Sequence, residues 1–311
     1  MKLRQMLCLC AVVEADFNIT RAADTLYATQ PAVGKQLRQF EEEIGAELLV
    51  RRGARLVGLT DAGQQALVWA RAALQCVNNI KAIGEEAGNE SRGSIVLATT
   101  HTHARYVLLP AIKAFTRKYP DVKLNVLQGT PEGVAEMLEN GKAGVGVTSL
   151  PANLSSQLVA LPVLTATHIM VAPTGHPILR MRGLTLEKLA RFPIIMQNPS
   201  RLQGARIERK FRDAGLEVHV AVQALDTDVM KTYVVAGLGI AIIPSFTFNA
   251  NLDPGLRMRD VGHLFDPTTS VVLLRKGGHL KRYVYDFLSD LAPTLERQHI
   301  DPLLFNEPDT P

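Results

Sequence analysis

Aromatic side chains are scarce in this chain, at 5% of 311 residues, and cysteine is scarcer, with only Cys8, Cys10 and Cys76. An odd set of three without zinc-ligand spacing excludes a disulfide scaffold and a structural zinc centre, so these thiols read as small apolar residues. A large excess of either charge is also missing: 34 Lys and Arg against 30 Asp and Glu leave a net +4. Any basic surface must therefore come from placement rather than total charge. No apolar run is long enough to span a bilayer. The opening MKLRQMLCLCAVVEADF reaches Glu14 and Asp16 too early for a signal peptide. Its Leu3, Met6, Leu7, Cys10 and Val13 follow helical spacing and predict a first core helix. A cytoplasmic protein without a membrane partner is expected. The sequence shows no Ser/His/Asp constellation, paired carboxylates or phosphate-binding loop, which argues against an enzyme.

What the chain does hold is a patterned stretch from Phe17 to Arg55. Thr20 is expected to cap a short helix carrying Ala22, Ala23 and Leu26 on one face, and Tyr27 and Ala28 to make a turn. Thr29 then caps a second helix, with Pro31 in its first turn, where a missing N–H costs nothing. In that helix Val33, Leu37, Phe40 and Ile44 recur at helical spacing and predict a buried stripe. The opposite face offers Gln30, Ala32, Gly34, Lys35, Gln36 and Arg38. Small, amide and cationic groups of this kind suit entry into a major groove, with contacts to base edges and phosphates. Arg51, Arg52 and Arg55 cluster around Gly53, as a wing along a phosphate backbone would. The plain alternative is a helical hairpin with a solvated polar face.

From Asp61 to about Asn89 one long helix is expected, with a seam of Ala62, Ala66, Trp69, Ala73, Cys76, Ile80, Ile83 and Ala87. Such a seam predicts pairing with a second chain, packing on its own domain being the alternative. A dimer would offer two recognition helices to two half-sites. Ser91-Arg92-Gly93 reads as a hinge. Beyond it, strands are expected at 94–98, 122–127, 143–147, 168–173, 193–196, 218–222, 239–244 and 270–275. Helices are expected at 106–119, 131–140, 203–214, 227–236 and 281–295, with Thr99 to Arg105 a polar connection. This alternation predicts an α/β fold with parallel sheets, in two lobes with crossings near Leu161–Thr167 and Phe265–Thr269. The tail from His299 is expected to be loose.

Ligands of open α/β sheets sit beyond the carboxyl ends of the strands, where helix N-termini offer free N–H groups. Thr99, Thr100, His101, Thr102 and His103 occupy such a position, as do Thr148 and Ser149. From the second lobe Gln197, Asn198, Ser200, Arg201 and Gln203 could form an opposing wall, with Thr227 and Asp228 at the next helix and Lys231 one turn on. Hydroxyls there favour a small anion. Two His without a third ligand are a weak basis for a metal.

The segment TRAADTLYATQPAVGKQLRQFEEEIGAELLVRR closely resembles the winged helix-turn-helix of LysR-type transcriptional regulators. TTHTHARYVLLPAIKAF and DTDVMKTYVVAGLGIAIIP resemble the CysB-like branch of that family, which governs sulfur assimilation and typically carries TTHTQARY in the first segment. Three departures stand out: Gly34 where the family usually has Ser or Thr, His103 where Gln is usual, and the loop NPSRLQGAR. The resemblance implies a winged helix-turn-helix (1–60), a linker and dimerisation helix (61–90), and a two-lobed, periplasmic-binding-protein-like α/β effector domain. Its lobe I would comprise 91–164 and 268–298, and its lobe II 165–267. It implies a homo-oligomer, as a dimer of dimers, that binds double-stranded promoter DNA, with RNA polymerase as a further partner. The DNA-binding set would be Thr20, Thr29, Gln30, Pro31, Ala32, Gly34, Lys35, Arg38, Arg51, Arg52 and Arg55. In place of a cofactor, a small anionic effector such as sulfate or acetylserine would be held by Thr99, Thr100, His101, Thr102, His103, Thr148, Asn198, Arg201 and Thr227. The alternatives are a LysR-type regulator answering to an unrelated small carboxylate, and a two-lobed binding protein or enzyme with an N-terminal interaction module.

Overall fold

The computed structural model describes residues 1–53, 55–88, 92–198 and 202–305. They fall into two compact units that divide after residue 90, with 277–281 counted in the first.

The first unit begins with α1 (Leu3–Glu14), α2 (Ile19–Thr25) and α3 (Gln30–Ile44). Asp16 and Phe17 adopt left-handed backbone (φ +53° and +62°) and complete the first turn. That places Asn18 at the helix start, and its Oδ1 accepts from the Arg21 N–H at 3.1 Å. Thr20 is therefore an exposed residue inside α2 and not its cap. Tyr27 makes the second turn at φ +49°. Thr29 occupies the N-cap position of α3, but its hydroxyl makes no capping bond. Val33, Leu37 and Phe40 are buried against Leu9, Val12 and Ala22 as one core. Ile44 stays 39% exposed, because the helix ends beside it at the left-handed Gly45 and the chain turns away.

The wing is the antiparallel pair β1 (Leu49–Arg52) and β2 (Arg55–Leu59). Next comes α4 (Asp61–Gly88), started by Thr60, whose Oγ1 accepts from the Gly63 N–H at 2.9 Å. Gly63 is there because nothing larger fits: a Cβ at this position would lie 1.9 Å from the Leu48 carbonyl oxygen. The expected seam splits. Ala62 and Ala66 pack with Leu67, Ala70 and Leu74 onto the unit's own core. Trp69, Cys76 and Ile80 point outward, Trp69 being 74% exposed. The side chains of Ile83 and Ala87, together with Asn89 and Ser91, lie outside the described residues.

The second unit holds two sheets. The first is formed by β3 (Gly93–Thr99), β4 (Val122–Gln128), β5 (Val145–Ser149), β6 (Leu158–Ala166) and a strand returning from later in the chain. Between them lie α5 (His101–Tyr106), α6 (Leu108–Lys118) and α7 (Pro131–Glu139). In the second lobe come β7 (His168–Pro173), α8 (Leu186–Ala190), β8 (Ile194–Gln197), α9 (Leu202–Asp213), β9 (Val220–Ala224), α10 (Thr227–Val235), β10 (Ile240–Pro244) and β11 (Leu256–Asp260). The chain returns through β12 (Thr268–Arg275), α11 (Arg282–Leu291) and α12 (Arg297–Phe305). Strand orders are β4-β3-β5-β12-β6 and β11-β7-β10-β8-β9.

Both sheets are mixed rather than parallel. Strands joined by helical crossovers run parallel, as β3 does with β4 and β5. The strands that follow the two crossings run the other way, β12 against β5 and β6, and β7 against β10 and β11. Alternate strand residues face opposite layers. Met170 and Ile194 join Phe211 in one core, while Val171 and Ile195 join Val234 in another. In the first lobe Phe115 is fully buried, edge-on to Phe287 with ring centroids 5.6 Å apart.

Four expectations change. Leu161–Ala166 belongs to β6 rather than to a crossing, so only Thr167 separates β6 from β7. The second passage runs over 261–267. Thr99–Arg105 is not an irregular connection: α5 starts at His101, because the Thr100 hydroxyl caps it. The tail from His299 carries most of α12, anchored by the buried Ile300 and Leu304; residues 306–311 lie outside the described residues.

Candidate functional site

On the first unit, Gln30, Pro31, Ala32, Lys35 and Arg38 lie on the exposed face of α3, and Thr29 is exposed at its start. Gly34 is half-buried, yet a Cβ built there would meet nothing within 4 Å, so a hydroxyl-bearing residue would fit. Arg52 and Arg55 face each other across the exposed wing tip. Arg51 is tied back, with Nη2 2.7 Å from Glu41 Oε2. The other oxygen of Glu41 accepts from the Leu48 and Leu49 N–H groups at 3.0 and 3.1 Å. One carboxylate thus fastens the wing to the end of α3. The free cations of this face are Lys35, Arg38, Arg52 and Arg55, among the described residues.

On the second unit, a cavity of about 330 Å³ opens between the two lobes. Lobe I contributes Thr100, His101, Thr102 and His103 from the start of α5, Ser149 from the end of β5, and Thr130 and Glu132 from the start of α7. Lobe II contributes Gln203 and Arg206 of α9, and Asp226 and Thr227 at the start of α10. Behind this wall Gly204 seats α9 against β8, since a Cβ there would lie 2.3 Å from the Gln197 carbonyl oxygen. Only glycine lets α9 lie that close to the end of β8.

Other expected residues are placed elsewhere. Thr99 and Thr148 are fully buried in the sheet and do not line the cavity. Thr99 Oγ1 donates to the Val147 carbonyl at 2.7 Å, and the Thr148 hydroxyl is buried without a partner among the described residues. Asn198 is half-buried beyond β8 and is not part of the lining. Arg201, with Pro199 and Ser200, lies outside the described residues. Arg206, Thr130 and Glu132 line the cavity without having been expected. Arg206 sits three residues after Gln203, on the same face of α9, which is the spacing that could have revealed it.

His103 is 2% exposed, and burial pushes its pKa down to about 4, so the ring is neutral near pH 7. Its Nδ1 lies 2.7 Å from Thr100 Oγ1 and its Nε2 2.9 Å from Ser270 Oγ. The α5 helix also grips lobe II. His101 Nε2 is 3.1 Å from Asp228 Oδ2, and the Tyr106 hydroxyl donates to Asp228 Oδ1 at 2.5 Å. Lys231, 5% exposed, donates to the Tyr106 oxygen at 2.6 Å, to the Thr247 carbonyl at 3.0 Å and to Asp253 at 3.1 Å. Burial raises the Asp228 pKa, but Tyr106, Lys231 and Arg105 outweigh it and hold the carboxyl below its usual range. Burial lowers Lys231 likewise, yet Tyr106 and Asp253 more than compensate, leaving it raised. Lys231 and Asp228 therefore bridge the lobes rather than face the cavity. His101, Asp226 and Asp228 bring ligand atoms within 4.8 Å of one another, but Lys231 and Arg105 already neutralise Asp228 at 3.4 and 3.6 Å. That leaves little charge to hold a metal ion.

The chain matches the family model for the bacterial regulatory helix-turn-helix protein, lysR family, over residues 3–64, and that for the LysR substrate binding domain over residues 88–295. It is 37% identical to the HTH-type transcriptional regulator CysB of Burkholderia cenocepacia, over 99% of this chain and 98% of that protein. It is 35% identical to the HTH-type transcriptional regulator SsuR of the same organism, over 98% and 99% respectively. Among solved structures, the cofactor-binding domain of the Cbl transcriptional regulator superposes with a TM-score of 0.66 at 35% identity, covering 70% of this chain and 96% of that one. Two adjacent family matches that together cover the winged head and the two-lobed domain, with full-length relatives above the one-third mark in identity, place this chain in the LysR family of transcriptional regulators.

Proposed function

We propose that this regulator senses a small anion of sulfur metabolism, such as sulfate, a sulfonate or an acetylated serine, in the cavity between its lobes. The observation that carries the reading is convergence. The hydroxyls of Thr100, Thr102 and Ser149, the starts of α7 and α10, and the Arg206 guanidinium meet on one cavity. One carboxylate in the lining, Asp226, is occupied in capping α10 through the Asp228 and Val229 N–H groups. The likeness to CysB and SsuR and the TTHTHARY segment support sulfur chemistry over an unrelated carboxylate.

Thermal-shift and calorimetric titration with sulfate, thiosulfate, acetylated serines, sulfonates and sulfur-free carboxylates tests the reading, since a ligand of the native state raises its stability. Thr100→Ala and Thr102→Ala are each expected to weaken the responding ligand about 10- to 100-fold, the worth of a hydrogen bond to a charged group, with DNA binding intact. Equal affinities in parent and variants would remove these two residues from the site. A response to carboxylates alone would favour the sulfur-free alternative.

In the same reading, α3 enters the major groove of promoter DNA and the wing follows the backbone, in the cytoplasm and beside RNA polymerase. The outward Trp69 and Ile80 of α4 pair subunits into a homo-oligomer. Lys35→Ala is expected to weaken binding to all sequences alike and to lower the slope of log affinity against log salt by about 1. An unchanged slope would take Lys35 off the phosphates.

A further inference from the structure

Ser270 lies on β12 and is fully buried. Among the described residues its hydroxyl has one hydrogen-bond partner, His103 Nε2, at 2.9 Å. Buried hydroxyls favour the arrangement that gives their proton an acceptor, and among the described residues only a bare Nε2 offers one to Ser270. A neutral imidazole then carries its proton on Nδ1, which lies 2.7 Å from Thr100 Oγ1 and donates to it. The same oxygen accepts from the His103 backbone N–H at 3.4 Å as the cap of α5. With both acceptor positions of Thr100 Oγ1 engaged, its own O–H has no acceptor among the described residues, and Thr100 lines the cavity.

We infer that Ser270 and His103 form a relay that fixes the Thr100 hydroxyl as a hydrogen-bond donor into the cavity. It thereby selects an acceptor oxygen, such as that of an ionised oxyanion, at that position and rejects a ligand group that itself donates there. The ligand half of this inference rests on the effector reading above; the proton arrangement does not. A cap alone would leave the hydroxyl free to rotate and to accept. Here each step removes one alternative, beginning at a residue that never meets the ligand. Ser270 and His103 are positioning residues, acting through Thr100.

The test is a long-range proton–nitrogen NMR spectrum of the full-length protein labelled with ¹⁵N-histidine, at neutral pH, without and with sulfate. His103 is expected to show a protonated Nδ1 and a bare Nε2 in both states. A protonated Nε2 with a bare Nδ1 in the ligand-free protein overturns the relay. Ser270→Ala should shift His103 toward the Nε2-protonated form and weaken sulfate about tenfold. His103→Gln, whose amide can still donate to Thr100, should keep sulfate affinity within a few fold of the parent, whereas His103→Leu should lose about tenfold. Equal sulfate affinity in the parent, Ser270→Ala and His103→Leu would also overturn the proposal. Sulfate that fails to bind the parent protein overturns the effector reading alone, and the ligand-free tautomer still decides the relay.

Discussion

Lys231→Met is expected to destabilise the effector domain by about 3–5 kcal/mol, the range for removing one partner of a buried ion pair. The Lys231 side chain is 6% exposed, and its partners Asp253 and Asp228 are 11% and 18% exposed. Without the ammonium, two poorly hydrated carboxylates and the Tyr106 oxygen lose their common cation. Asp228 titrates below its ordinary value of 3.8, so its contribution is present above that pH and fades as the pH falls through the folded value. Lys231 titrates above 10.5, so its contribution is present below that pH and fades as the pH rises through the folded value. The parent should therefore keep this stability across the whole neutral range, and the variant should lack it throughout. Urea denaturation followed between pH 5 and 9 measures both, and a variant within about 1 kcal/mol of the parent would refute the assignment.

Gly63→Ala is expected to cost the winged domain about 3 kcal/mol or more, at the upper end for overpacking. The new methyl would lie 1.9 Å from the Leu48 carbonyl oxygen, which also accepts from the Thr60 N–H at 3.0 Å. Neither partner is a flexible side chain that could swing away, so α4 must part from the root of the wing. Gly34→Ala provides the contrast. Its methyl meets nothing within 4 Å, and the exchange should stabilise α3 by about 0.5–1 kcal/mol through helix propensity. If thermal melts of the two variants gave the same midpoint, the close approach at Gly63 would not hold in solution.

Where one residue pattern answers to one packing role, the sequence was readable. Val33, Leu37 and Phe40 form the core stripe of α3, and the strand–helix alternation located both lobes. It failed where a strand lacks such a pattern. In β6 (LVALPVLTA) Pro162 sits at a register shift opposite Val271, so neither alternation nor a continuous apolar run marks it. In β11 (LRMRD) only Leu256 is buried, because it is an edge strand. At the cavity, position along the chain identified Thr100 and Thr102, but it could not say which way Thr99 and Thr148 point. Side chains alternate across a sheet, and a register of one residue decides between cavity and interior. Asn18 displaced Thr20 as a cap because Asp16 and Phe17 accept left-handed backbone, a choice no composition rule would favour for phenylalanine.

The single residue Thr167 between β6 and β7 also limits what the lobes can do. Its carbonyl is held by the Ser245 N–H at 2.9 Å, and a joint one residue long offers only its two backbone torsions. Such a joint allows pivoting but no sliding apart. Any change in the angle between the lobes must therefore be taken up at the torsions around Thr167 and within 261–267, and it would have to strain or break the Tyr106–Asp228–Lys231 bridge.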